Sequence, residues 1–351
     1  MPAAVPLSAA PVLEVTGLRT HFFTEDGVLP AVDGVTFALG RGRTLALVGE
    51  SGCGKSVTSH SILRLIQRPG RIVAGEILFR SARAGTIDLA RLRDNARELF
   101  RVRGGLISMI FQEPMTALSP VHTLGDQITE AIFLHQDVPP AAARTLAIEM
   151  LRKVGVSAPE RRFHQYPHEI SGGMRQRVVI AMALISRPEV LIADEPTTAL
   201  DVTIQAQILG LIRRLQGEIG CSVLLITHDL GVVAQMADEV AVMYLGRIVE
   251  HGPVADLLRN PRHPYTQGLL RSIPSLHPGG RLCSIPGAVP PLTAIPPGCP
   301  FHPRCPHALP GVCNTGDPPP LRALGPGRAA ACLRAEEIAA GGEGAAHAGA
   351  R

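Results

Sequence analysis

Twelve consecutive residues limit what this chain can become: Leu45-Ala46-Leu47-Val48-Gly49-Glu50-Ser51-Gly52-Cys53-Gly54-Lys55-Ser56. Four apolar residues of strand character lead into G-x-x-x-x-G-K-S, and a helical pattern follows. Strand, glycine-rich loop and helix, in that order, are the context in which this motif wraps a phosphate. Glycine is needed at Gly49, Gly52 and Gly54 because the backbone must curl and aim successive N–H groups inward. Ser51 and Cys53 complete the set of loop residues expected to bind the nucleotide. The positive end of the following helix adds to the field. Lys55 is placed to reach β- and γ-phosphates, and the Ser56 hydroxyl to ligate Mg²⁺. The chain carries its basic charge almost wholly as arginine. Its only lysines are Lys55 and Lys153, so one of two stands where the loop chemistry demands it.

Composition narrows the rest. A length of 351 residues suits one large or two modest domains, and 46% hydrophobic residues suffice for a core. A net charge of +4 gives no electrostatic case for a nucleic-acid partner. No run of roughly 18 apolar residues appears, so no membrane span is expected. Met1 to Pro11 lacks the basic start and apolar core of a signal peptide, which implies a cytosolic chain. Seven cysteines in that compartment are not a disulfide framework.

Along the chain, Leu13-Glu14-Val15 alternates like an edge strand, Leu18 to Phe23 like a second short strand, and Val32 to Leu39 like a third. They suggest a small antiparallel sheet beside a parallel core. Phe22 and Phe23 either pack in that sheet or stack on a base, and Phe22 is the choice for the base. Gly75 to Phe79 reads as a strand, Asp88 to Arg103 as a charged amphipathic helix, and Leu106 to Phe111 as a strand delivering Gln112. A carboxamide at the C-terminal end of a buried strand sits where α/β sheets place ligands. Glu113-Pro114 then breaks the chain.

Val121 to about Arg162 has helical patterns only and reads as a subdomain inserted between core strands. Ser171 is placed to cap a helix with apolar face Met174, Val178, Ala181, Met182 and Ile185. Ser171-Gly172-Gly173 is either an ordinary cap or a second anion site. Val190 to Ala193 is a buried strand ending in Asp194-Glu195. Asp194 is expected to hold Mg²⁺ through water, and Glu195 to orient or deprotonate an attacking water. Thr198-Ala199-Leu200 leads to Asp201, which can cap the next helix. Ser222 to Thr227 is a strand with His228 at its tip, where a neutral imidazole can donate to a γ-phosphate.

The set Gly49–Ser56, Gln112, Ser171-Gly172-Gly173, Asp194-Glu195, Asp201 and His228 resembles the nucleotide-binding subunit of an ABC transporter, over roughly 13–252. The resemblance implies an α/β fold: a P-loop NTPase core, an N-terminal antiparallel β-subdomain, a helical insertion and a loop-rich C-terminal extension. It implies ATP hydrolysis with Mg²⁺ held by Ser56, Gln112 and Asp194. It implies head-to-tail pairing, in which Ser171 and Gly173 touch the partner's ATP and Asp201 lies at the seam. The usual signature begins with Leu and ends with Gln; here it is Ile170-Ser171-Gly172-Gly173-Met174. A soluble ABC ATPase is disfavoured, since one cassette and no sustained heptads are present.

The tail narrows the resemblance. Asn260-Pro261-Arg262-His263-Pro264-Tyr265-Thr266, Ile285-Pro286-Gly287 and Gly298-Cys299-Pro300-Phe301-His302-Pro303-Arg304-Cys305-Pro306 are similar to the extension of dipeptide and oligopeptide import ATPases. With Met174 and the run Ala193 to Asp201, they look like the first of two ATPase subunits. Implied partners are a second, different ATPase subunit, two membrane-spanning permease subunits and, indirectly, an extracytoplasmic substrate-binding protein. The implied location is peripheral, on the cytoplasmic face of the cell (inner) membrane. Peptide is the implied cargo, with nickel or glutathione as alternatives. Cys299, Cys305, Cys313 and Cys332 follow C-x5-C-x7-C with one cysteine further on, in a segment too rich in Pro and Gly to hold itself by packing. The resemblance implies a [4Fe–4S] cluster there. Zn²⁺ fits on chemistry alone, and free thiols are the third reading. The organisation expected is an ATPase domain at 11–255 with helical subdomain about 113–180, an extension at 256–337, and a disordered tail at 338–351.

Overall fold

A computed structural model describes residues 10–113, 117–198, 201–272 and 284–341. The Pro-rich lead up to residue 9, the break at Pro114, Ala199-Leu200, Cys283 and the tail from residue 342 lie outside them.

The chain opens with β1 (Leu13–Thr24), β2 (Gly27–Leu39), β3 (Thr44–Val48), β4 (Gly70–Ser81) and β5 (Gly85–Asp88). All but β3 form an antiparallel sheet in the order β2-β1-β4-β5. The two short strands expected at Leu13–Val15 and Leu18–Phe23 are therefore one. Register shifts fall between Val15 and Leu18 and between Thr20 and Phe22, and Gly17 at φ +58° forms the first bulge. A bulge resets side-chain alternation, which makes one strand read as two. β1 is also central rather than an edge, since it pairs with β2 on one side and β4 on the other.

The helix expected over Asp88–Arg103 is absent. Asp88 ends β5, and its side chain accepts from Ala90 N at 3.1 Å, starting a short 3₁₀ turn, Leu89–Arg91. Only Arg97–Val102 is α-helical there. A short polar side chain competing for backbone donors overrides the periodic pattern.

The second sheet adds β6 (Ile107–Ile110), β7 (Val190–Asp194), β8 (Ser222–Thr227), β9 (Glu239–Tyr244), β10 (Arg247–Pro253), β11 (Arg322–Gly325) and β12 (Arg328–Ala330). Its order is β11-β12-β10-β9-β3-β8-β7-β6. The five strands from β9 to β6 run parallel, and β10, β12 and β11 close one side antiparallel. Every residue of β3, β7 and β8 is buried, as a sheet covered on both faces requires. Alternate residues feed different cores: Leu191 and Ala193 pack with the helices between β6 and β7, while Val190 and Ile192 pack with the antiparallel sheet.

Between β6 and β7 the described residues form helices Leu124–His135, Pro140–Lys153, Pro159–Arg162 and Gly172–Leu184 and no strand. The extension is stitched to the core, because β12 pairs with β10 through Glu250↔Ala330 and His251↔Ala329. A last helix, Ala335–Gly341, crosses the boundary set at Glu337.

Candidate active site

Strand register lines the expected groups along one edge. Val48 pairs with Thr227, Ile226 with Asp194, and Ala193 with Ile110. The P-loop, His228, Glu195 and Gln112 thus follow the C-terminal ends of four adjacent parallel strands, β3-β8-β7-β6. Ligands of open α/β sheets bind there.

The loop after β3 is held by close packing. A Cβ on Gly49 would lie 2.2 Å from Met243 O, and one on Gly54 (φ +102°) would lie 2.2 Å from Ala31 O. Only glycine fits either position. Gly54 caps the helix Lys55–Ile62 with no side-chain bond, leaving the first-turn N–H groups to an anion. Lys55 is buried, and its Nζ donates to the carbonyls of Gly49 (2.8 Å) and Glu50 (3.0 Å). Cys53 turns its sulfur inward, and burial raises its pKa. Its side chain packs, and its amide donates to Glu50 O at 3.3 Å.

Asp194 is 1% exposed, and burial pushes its pKa up to about 6, opposed by the Ser56 hydroxyl and the charge of Lys55. Its Oδ1 is buried with no hydrogen-bond partner. A cavity of ≈ 390 Å³ opens here, lined by Ser56, Gln112 and Asp194 with Phe111 and His60. An orphaned carboxylate oxygen beside a hydroxyl and a carboxamide is an all-oxygen donor set suited to Mg²⁺.

Glu195 has φ +46°, a left-handed backbone for a residue with a side chain. Such strain costs on the order of 1–3 kcal/mol and persists only where surroundings enforce it. Glu195 N donates to Ile226 O at 2.8 Å, and Thr198 N donates to Glu195 O at 3.1 Å. The carboxylate accepts from Gln112 Nε2 at 3.1 Å and Thr198 Oγ1 at 2.9 Å, and lies 3.1 Å from His228 Nδ1. Burial pushes its pKa up, but hydrogen bonds from His228, Thr198 and Gln112 outweigh it and leave the carboxyl below its ordinary value.

Comparison with known proteins decides the family. The family model described as ABC transporter matches residues 32–198, and that described as Oligopeptide/dipeptide transporter, C-terminal region, matches residues 249–313. The dipeptide transport ATP-binding protein DppD of Bacillus subtilis is 54% identical over 305 residues, 86% of this chain and 89% of the relative. The oligopeptide transport ATP-binding protein OppD of the same species is 54% identical over 301 residues, 85% and 82% of the two chains. Among solved structures, the dimeric ABC transporter cassette MJ0796 matches with TM-score 0.60 and 26% identity, over 69% of this chain and 98% of that one. This chain belongs to the ABC transporter family. It is an ATP-binding, ATP-hydrolysing cassette.

Within the ABC cassette, the signature residues stand apart from this site. Ser171 Oγ caps the helix Gly172–Leu184 by accepting from Met174 N at 3.4 Å. A Cβ on Gly172 would meet nothing within 4 Å, and one on Gly173 only Ile204 Cγ2 at 3.5 Å. Nothing in this chain's own packing demands glycine there. Met174 is partly buried against the helical core, so the apolar departure from the usual signature is accommodated by packing. Asp201 caps the helix Val202–Ile219 through Ile204 N at 2.9 Å. The Phe22 ring lies against Gly70 beside Ile66, and Phe23 lies under the Arg71 guanidinium, 4.1 Å from its centroid.

The four tail cysteines line one small cavity of ≈ 20 Å³. Among the described residues, however, no group of three or more His, Cys, Asp or Glu is spaced to hold a metal ion. Burial raises the Cys299 and Cys305 thiols to about 11 each. The [4Fe–4S] or zinc centre expected from sequence therefore finds no support in the spacing of these cysteines, and Cys299, Cys305, Cys313 and Cys332 form no disulfide.

Several contacts of the site carried no motif signal. Buried Gln176 donates to Pro196 O at 2.6 Å, tying the signature helix to the turn after Glu195. Its place two residues after Met174 was the available clue. Arg304 and Tyr265, from the tail segments noted in the sequence, reach the P-loop itself through Glu50.

Proposed function

We propose that this cassette is the ATP-hydrolysing subunit of an importer of dipeptides or oligopeptides, bound at the cytoplasmic face of the cell membrane. The names of its relatives and the match over 249–313 support the cargo. Among the described residues no helix is long and apolar enough to cross a membrane, so the permease pair would be separate subunits. The exposed side chains of Val121, just before the helix Leu124–His135, and of Phe133 and Leu134 on it offer them an apolar surface.

One observation carries the chemistry: Glu195, strained and ionised, held by Gln112, Thr198 and His228 at the strand tips beside the P-loop. Glu195 accepts the proton of the attacking water, and its lowered pKa keeps it ready as a base. His228 orients Glu195 through Nδ1 and presents its other nitrogen to a γ-phosphate. Lys55 and loop amides other than that of Glu50 stabilise charge on the transferring phosphoryl group. Ser56, Gln112 and Asp194 would hold Mg²⁺, which when bound supplies charge neutralisation across the β- and γ-phosphates. Phe22 is assigned to the base.

Ser171, Gly172 and Gly173 are assigned to the ATP of a second, different cassette paired head to tail, with Asp201 at the seam. The space around both glycines supports this, since only a group from outside the chain would need their bare backbone. The four tail thiols are assigned to a [4Fe–4S] cluster, supported by their convergence on one cavity. They must be drawn together and deprotonated to ligate it. Iron, acid-labile sulfide and zinc assays on anaerobically purified protein decide between cluster, zinc and free thiols.

The test of the whole reading is uptake. Membrane vesicles carrying the chain with its second cassette and permeases should accumulate peptide delivered by the binding protein, dependent on ATP. Hydrolysis without peptide accumulation would refute the cargo; absence of hydrolysis would refute the function.

A further inference from the structure

We infer that the C-terminal extension is a working part of the nucleotide site: Arg304 and Tyr265 are positioning residues that hold Glu50 and thereby set the phosphate affinity of the P-loop. The inference rests on the reading that this loop binds ATP.

Glu50 is the second residue of the loop and its one acidic side chain. A carboxylate there opposes a polyphosphate unless its charge is matched and its direction fixed. The extension does both. Arg304 grips Glu50 with a two-pronged fork, Nη1 to Oε2 at 2.7 Å and Nη2 to Oε1 at 2.9 Å. Paired forks of this kind fix geometry as well as charge. The fork is itself immobilised. Arg304 Nε donates to Pro286 O at 3.1 Å, its side chain is 3% exposed, and the guanidinium carbon lies 5.9 Å from the ring centroids of both Tyr244 and Phe301.

The main chain of Glu50 is held as well. Its N–H donates to the Tyr265 hydroxyl at 2.8 Å, and its carbonyl accepts from Lys55 Nζ at 3.0 Å. Tyr265 is fully buried. All three polar functions of Glu50 are therefore occupied, two of them by the extension. The carboxylate is turned toward Arg304, and the amide anchors the loop backbone to Tyr265.

Releasing the fork frees an uncompensated carboxylate beside the phosphates. The resulting repulsion scales with phosphate charge, which a general loss of folding would not do. The test uses the full-length chain with Arg304→Gln, Glu50→Gln and the double variant. Dissociation constants for Mg²⁺-ATP, ADP and AMP are read by calorimetry, KM and kcat by phosphate release, and folding by thermal melting. Arg304→Gln should weaken ATP binding about tenfold, ADP less and AMP least, with kcat at saturation nearly unchanged. Adding Glu50→Gln should restore most of the ATP affinity, since the two side chains act as one unit. Tyr265→Phe, which keeps the ring, should also weaken ATP if Arg304→Gln proves too unstable to assay. Wild-type ATP affinity in a folded Arg304→Gln chain, equal losses for all three nucleotides, or no recovery in the double variant would overturn the inference. If the wild-type chain binds no ATP, the ATPase reading itself falls.

Discussion

His228 Nδ1 and Glu195 Oε1 stand 3.1 Å apart at the tips of the neighbouring strands β8 and β7. The pair joins two residues that sequence separates by 33 positions. It leaves Glu195 an ionised base despite its burial, with the ring fixed so that one nitrogen faces the carboxylate.

Glu195→Gln keeps the shape and removes the base. Steady-state phosphate release should fall by roughly 10²–10⁴-fold. ATP binding should survive, and with the second cassette present the variant should elute as a stable ATP-bound pair. Turnover near wild type would end the assignment.

His228→Ala removes a group that holds the Glu195 pKa down, so that pKa should rise. The sign follows directly. Glu195 is depressed in the folded state, so its contribution is present above its unfolded pKa and fades as pH falls through the folded one. In His228→Ala the acid limb of the pH–rate profile should move to higher pH, along with a lower plateau. A lower plateau with an unmoved limb would mean that His228 does not tune Glu195.

Asp194 carries the opposite sign. Its folded pKa is raised from 3.8 to about 6, so its ionisation destabilises the nucleotide-free fold as pH rises through that window. Asp194→Asn should therefore stabilise the empty protein at neutral pH by about 2–3 kcal/mol. It should at the same time abolish Mg²⁺-dependent hydrolysis. For the wild type, Mg²⁺-ATP affinity should weaken as pH drops below 6. Denaturant titrations with and without nucleotide measure both effects.

Two glycine substitutions should part company. Gly54→Ala forces a Cβ into Ala31 O and should abolish nucleotide binding. Gly172→Ala meets open space in the first turn of a helix and should stabilise the isolated chain by about 0.5–1 kcal/mol. If the signature serves a partner's ATP, the same Gly172→Ala should impair hydrolysis by the assembled pair while sparing ATP binding by this chain. Normal activity of the pair would remove the signature from the trans role.

What the sequence made legible was local and periodic. β3, β7 and β8 are short apolar runs that end in a glycine loop, Asp194-Glu195 and His228, and each terminus carries its chemistry in adjacent letters. Asp201 caps the helix Val202–Ile219 as read, and Gly220 closes it at φ +77°. Where the reading failed, a single residue overrode a pattern: Gly17 bent β1, and Asp88 stopped a helix. The strands β9 and β10, antiparallel to each other, end in no motif, and the grip of Arg304 on Glu50 leaves no trace in the sequence. Those two side chains lie 254 positions apart, and no spacing rule reaches across such a distance.

The aromatic knot around Arg304 has a practical corollary. The chain contains no tryptophan and three tyrosines. Tyr244 and Tyr265, whose rings lie 4.7 Å apart, sit where the tail meets the loop, and Tyr166 is far more open to solvent. Native ultraviolet emission therefore draws most of its buried component from that seam, and quenching by a soluble reagent would report its opening without any attached dye.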